Sequence, residues 1–192
     1  MAPHSGAGRP SGHSAPTTRG NYQNWSGIGE FSIMENVNGL SKVWGTLHCG
    51  VNPGGPCNET QGNSSSRDCP GGACQAGFHT YALELDRTDP AKEALHWYVD
   101  GQHFHTVDAS EMDADTWTKA THQGHFLLLN LAMGGAFPDG VAGSPTPTDA
   151  TGSGGSMLVD HVAVSVQQPA AGSGPAVPAA RHVRHVWQAA TP

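Results

Sequence analysis

All-β is the fold class this sequence predicts, and three observations carry it. Turn formers are abundant, with 26 Gly and 14 Pro among 192 residues. Apolar residues make up 36% of the chain and come in short runs between those turn formers. No long stretch repeats with a helical period. The length suits one domain with a real core, and short strands joined by many turns suit a β-sandwich.

Taken in order, residues 1–24 are mostly Gly, Ser, Pro, His and Thr, with too little apolar surface to bury. No apolar segment of a secretory signal follows the start, and the stretch is expected to be disordered. Strands are predicted at 28–37, 42–48, 78–85, 95–99, 103–107, 126–133 and 157–166, each an apolar run bounded by turn residues. The clearest local signal is Asp100-Gly101 between two alternating runs, which favours a type I′ hairpin turn. Residues 113–119 are read as a single helical turn. In the last strand Leu158, Val162, Val164 and Val166 are expected to share one face. Residues 167–192 return to Pro, Ala, Gly and Ser and are expected to form a disordered tail.

Charge and cysteine usage narrow the partners. A formal net charge of -7 with nine Lys plus Arg argues against nucleic acid, which needs a basic surface. The chain has no run of eighteen apolar residues to span a membrane as a helix. All four cysteines fall between Cys49 and Cys74, with seven, eleven and four residues between neighbours. That spacing lacks paired C-x-x-C knuckles, so two disulfides in an oxidising compartment are favoured over a metal site. Connectivity stays open, although Cys69 with Cys74 is sterically easy around Pro70-Gly-Gly72.

The first strand poses a question of parity. Glu30 and Glu35 are five positions apart, and on a regular strand an odd spacing sends side chains to opposite faces. A β-bulge around Ile33 and Met34 would bring Glu30, Ser32 and Glu35 to one face. Long side chains leaning together could then approach the roughly 5 Å carboxyl separation of a retaining glycosidase. Without the bulge, both are solvated carboxylates on opposite faces of an edge strand.

Five motifs in order decide between these readings. Trp25, GEFSIMENVN (29–38) and VWGTLH (43–48) resemble the bulged catalytic strand and the following strand of glycoside hydrolase family 16. GFHTYALE (77–84), WYVDG (97–101), FLLLNLAMGG (126–135) and SMLVDHVAV (156–164) follow the same family in order. The loop GGPCNET (54–60) resembles secreted bacterial members acting on β-1,3-glucans.

The resemblance implies a jelly-roll sandwich of concanavalin A-like form, with residues 25–166 as the C-terminal portion of a catalytic domain. It implies Glu30 as nucleophile and Glu35 as general acid/base, with Trp25 stacked on a sugar ring. His48 and Asn130 would line the cleft, contacting substrate or holding structure by hydrogen bonds, while Trp97 and Trp117 belong mainly to the core. An extracellular monomer acting on β-glucan without a cofactor is the form implied.

Three departures from the family pattern carry expectations. Ser32 stands where the family has Asp; a serine can hydrogen-bond Glu30 but adds no charge beside Glu35 to favour its protonated form, so reduced activity is expected. Only 24 residues precede Trp25 and the family's earlier strands are missing from them, so the chain reads as a truncated or frameshifted product with exposed edges and apolar faces. Asp160 matches a position that in relatives helps hold a structural calcium, but its N-terminal oxygen partners are lacking and no metal is expected. His103 with His105, and His182 with His185, are better read as a hairpin face and a tail than as two-histidine metal sites. The rival readings are a non-catalytic glucan-binding protein and an inactive remnant.

Overall fold

The computed structural model describes residues 24–152 and 155–166 in full, together with the backbone of 183–190. β1 (Glu30–Glu35) and β2 (Lys42–His48) form an antiparallel pair, and β3 (Asn63–Asp68) adds to the free edge of β2. A second sheet runs in the order β6-β5-β4-β8-β7, from β4 (His79–Asp86), β5 (Ala94–Val99), β6 (Gln102–Asp108), β7 (Leu158–Val166) and β8 (Val183–Ala190). Every pairing in both sheets is antiparallel. The result is an all-β jelly-roll sandwich.

Apolar side chains from both sheets close the core. Phe31, Ile33, Met34, Val43 and Leu47 of the first sheet meet Tyr81, Leu83, Leu85, Leu95, Trp97 and Val107 of the second. Trp97 is wholly enclosed and Trp117 nearly so, as expected of core residues. Gly45 makes room for Trp97: a β-carbon there would lie 2.4 Å from the indole ring. At the β5–β6 hairpin Asp100 and Gly101 both take positive φ, 49° and 74°, the conformation a type I′ turn requires.

Two helices pack at the ends. α1 (Ala114–Thr121) replaces the expected single turn and is capped by Asp113, whose side chain accepts from the Thr116 amide. Trp117 anchors it by donating from Nε1 to Glu93, 2.7 Å away. α2 (Ala136–Ala142) had no strong sequence signal, containing both Pro138 and Gly140.

The structure departs from the sequence reading in four places. β3, with the sequence NSSSRD, has no apolar residue and forms because β2 offers it a backbone edge. Residues 126–133 form no strand, with a single bridge at Ala132, and Phe126, Leu127, Leu128, Leu129 and Met133 are exposed. A bulge between Val159 and Val162 shifts the register of β7 and takes Leu158 off the face that Val162, Val164 and Val166 share. All four of these side chains are exposed, fulfilling the expectation of uncovered apolar surface. Val183–Ala190, inside the tail expected to be disordered, is the strand that joins β4 to β7. Residues 1–23 and 167–182, including His182, lie outside the described residues.

Candidate active site

The register of β1 on β2 answers the parity question. Glu30 lies opposite His48, Ser32 opposite Thr46, and Glu35 opposite Trp44. Three steps along β1 from Ser32 to Glu35 match two steps along β2, so one extra residue is inserted at Ile33 and Met34. His48, Thr46 and Trp44 alternate on β2 and share a face, which puts Glu30, Ser32 and Glu35 on that face too. Phe31, Ile33 and Met34 turn into the core.

The bulge is braced from beneath. The indole Nε1 of Trp97 donates to the Ser32 carbonyl at 2.9 Å, where the ladder loses its register. Gly29, just before β1, has φ of 79°, and a β-carbon on it would come within 2.6 Å of the Ala120 backbone. The strand therefore enters the site tightly against α1, through a conformation suited to glycine.

Glu30 and Glu35 are both buried, at 3% and 6% exposure, and both border one pocket of about 440 Å³. Two carboxylates withdrawn from bulk water need polar partners. Trp25 donates from Nε1 to Glu30 at 2.5 Å, and Thr46 donates to Glu35 at 3.1 Å. Thr46 is itself 2.9 Å from Ser64 of β3. Trp25 and Trp44 both border the pocket, Trp25 bonded to Glu30 and Trp44 across from Glu35. Phe137 of α2 closes against Trp44 edge-on, with ring centres 5.5 Å apart.

His48 sits beside this pair with its Nδ1 2.9 Å from Glu59. Burial is the largest single influence on the ring and disfavours its charge, but the Glu59 hydrogen bond and the charges of Glu30, Glu59 and Glu35 together outweigh it. His48 is thereby held above the ordinary histidine range.

Trp25, Glu30, Glu35 and His48 thus border one pocket. Ser32 is buried on the same face of β1, but neither it nor Asn130 is among the residues lining the pocket. Asn130 sits half-buried in the segment that forms no strand. His103 and His105 are separated by a third register shift, opposite Trp97 and Tyr98. His105 is buried 4.8 Å from the Trp97 ring, whereas His103 is exposed. Among the described residues no group of three metal-ligating side chains occurs, and Asp160 is exposed beside His161.

Sequence reasoning missed Trp44, Thr46, Glu59 and Phe137. For Trp44 and Thr46 the signal was available: once the bulge is placed, alternate residues of the next strand must face the carboxylates. Glu59 and Phe137 arrive from a loop and a helix with no periodicity to point inward.

The four cysteines form two disulfides, Cys49–Cys57 and Cys69–Cys74. The first closes the loop that delivers Glu59.

The arrangement can be set against known proteins. The chain is 29% identical over 136 residues to a glucan endo-1,3-beta-glucosidase of Cryptopygus antarcticus, covering 67% of this chain and 46% of that protein. It is 28% identical over 153 residues to glucan endo-1,3-beta-glucosidase A1 of Niallia circulans, covering 77% of this chain and 20% of that one. Its fold matches the crystal structure of an endo-1,3-beta-glucanase from Streptomyces sioyaensis with a TM-score of 0.68 and 42% identity, over 99% of this chain and 61% of that one. The chain resembles endo-1,3-β-glucanases. It spans about half or less of the two curated relatives. No protein-family model matches it.

Proposed function

We propose that this chain carries the catalytic strand of a retaining β-1,3-glucan hydrolase of the glycoside hydrolase family 16 type, with residues 25–166 as the C-terminal portion of its catalytic domain. The observation that carries the reading is the one-residue bulge that turns Glu30 and Glu35 into a single pocket. Two carboxylates on one face suit double displacement: Glu30 attacks the anomeric carbon while Glu35 hands a proton to the departing oxygen, then takes one from water. Trp25 and Trp44 offer aromatic faces on either side of the pair, suited to the apolar faces of consecutive glucose rings. A neutral polymer also fits an acidic chain, and the two disulfides fit an extracellular setting. The identities with endo-1,3-β-glucanases support β-1,3 linkages as the substrate class.

The test uses the full chain and laminarin. Reducing ends should appear with the β anomer formed first, as retention demands. Glu30→Ala and Glu35→Ala should each abolish turnover. Azide should rescue Glu30→Ala as an α-glycosyl azide and Glu35→Ala as a β-glycosyl azide. Binding of laminarin without any release of reducing ends would replace this reading with that of a non-catalytic glucan binder.

A further inference from the structure

Glu59 is a third enclosed carboxylate beside the cleft, with no side-chain surface exposed. Its two oxygens are divided: Oε1 accepts from the Cys49 amide at 2.9 Å and Oε2 faces His48 Nδ1 at 2.9 Å. Its backbone pairs in both directions with Gly54, each bond 2.6 Å, which ties it to the loop that Cys49–Cys57 closes two residues before it. Gly62, at φ of 77°, brings the far end of that loop down on β2; a β-carbon there would meet Thr46 at 2.3 Å and His48 at 3.0 Å. A buried carboxylate is costly unless it is paired, and here the fold spends a disulfide and a tight loop on placing one behind a histidine. Nδ1 is thus occupied by Glu59, and His48 borders the same pocket as the carboxylate pair.

Resting on the hydrolase reading, we propose that Glu59 is a positioning residue acting through His48: it fixes the ring by Nδ1 and keeps a cation beside Glu30 and Glu35. The charged groups acting on His48 are Glu30 and Glu35 from β1 and Glu59 from the loop. Trp25, whose ring centre is 5.3 Å away, and the β3 neighbour Ser64 are neutral. Ser32, between the two carboxylates on β1, adds no charge of its own. The single cation therefore comes from β2. It favours ionisation of Glu30 more than of Glu35, since Glu30 is the more strongly coupled of the two to the ring, and the ionised Glu30 in turn favours the proton on Glu35 for the leaving oxygen.

Glu59→Gln separates charge from shape. Its amide oxygen can still accept from the Cys49 N–H, and its amide N–H can donate to an unprotonated Nδ1, which leaves the ring in place but neutral. In the full chain labelled at histidine, NMR should show the wild-type His48 midpoint above 6.5. After deprotonation the remaining proton should sit on Nδ1. Glu59→Gln should lower the midpoint by about one pH unit, a tenfold loss of proton affinity. Turnover of laminarin at neutral pH should fall about tenfold, with KM within about twofold and the pH profile narrowed. Glu30→Gln should also lower the His48 midpoint, because the interaction is mutual.

A folded Glu59→Gln with an unchanged midpoint overturns the proposal, as does a wild-type ring that keeps its last proton on Nε2. If Glu59→Gln does not fold, the wild-type tautomer and the Glu30→Gln titration decide alone. Failure of the wild type to hydrolyse laminarin would remove the hydrolase reading, whereas the NMR titrations would still settle the Glu59–His48 coupling.

Discussion

Trp97→Phe should damage the site through the bulge, and the size of the effect can be worked from two contacts. The indole N–H donates to the Ser32 carbonyl at 2.9 Å inside the core, and phenylalanine removes that buried hydrogen bond at a cost of about 1–1.5 kcal/mol. Loss of the pyrrole portion from a fully enclosed position removes apolar volume worth about two methylenes, or about 1.5 kcal/mol. A destabilisation of about 3 kcal/mol follows, roughly a 6–12 °C fall in Tm for a chain of this size. Urea titration measures the stability, and laminarin turnover per folded molecule measures the site. Trp117→Phe is the control: it also loses an indole hydrogen bond, but to Glu93 rather than to the bulge. Both variants should lose stability, and only Trp97→Phe should lose activity per folded molecule. A loss below about 1 kcal/mol, or a Trp97→Phe enzyme as active per folded molecule as the control, would refute the claim that this indole holds the bulge in register.

Ser32→Asp places a negative charge between Glu30 and Glu35, which favours retention of the proton on Glu35; turnover of a soluble β-glucan should rise while Tm falls, and unchanged or lower turnover counts against the account. Glu93 gives a pH dependence of stability. Burial alone would raise its pKa, but hydrogen bonds from Trp117 and His122 and the charges of His122 and Arg87 outweigh burial and hold it below the ordinary 4.5. A carboxylate depressed in the folded state adds stability that is complete above its unfolded value and is lost as pH falls through the folded one. Denaturant midpoints should therefore drop between pH 6 and pH 3, and the drop should be smaller in Glu93→Gln.

The sandwich was legible because its strands are short apolar runs between turn residues, and the bulge was legible because an odd spacing of two glutamates contradicts a regular strand. What could not be read has a common physical cause. β3 contains only polar residues and owes its pairing to the edge of β2. Residues 126–133 show the reverse case, with strong strand propensity and no strand, because propensity alone does not supply the regular ladder of backbone pairs that a strand needs. Val183–Ala190 lies among Pro, Ala and Gly, and the composition of its surroundings hid the short run of Val183, Val186 and Trp187. Glu59 is set by chain closure through Cys49–Cys57, which joins residues by geometry rather than by any periodic pattern.

The carboxylate pair and β7, which carries part of the exposed apolar surface, belong to different sheets, and this bears on how far the site depends on the rest of the fold. Beneath Glu30 and Glu35 the packing is closed: Phe31, Ile33, Met34, Leu47 and Trp97 are all nearly or wholly buried. Exposed apolar side chains cluster on β7 and on residues 126–133, with Leu40, Val51 and Phe78 exposed elsewhere. β7 is the edge of the second sheet farthest in order from β6, and it reaches the core strands only through β8 and β4. Opening of such an edge has a lower free energy than opening of the strands it flanks, because fewer buried contacts are lost. The bulge, the bracing indole and the Glu59 loop all rest on β1, β2 and β5, so the geometry of the carboxylates is insulated from fluctuations at β7. Substrate affinity stands differently. A polysaccharide groove needs walls on both sides of the scissile bond, and one wall of this pocket is Phe137 on α2, a seven-residue helix that immediately follows the uncovered segment. Whatever orders residues 126–133 should accordingly act on KM through α2 before it acts on the chemistry of Glu30 and Glu35.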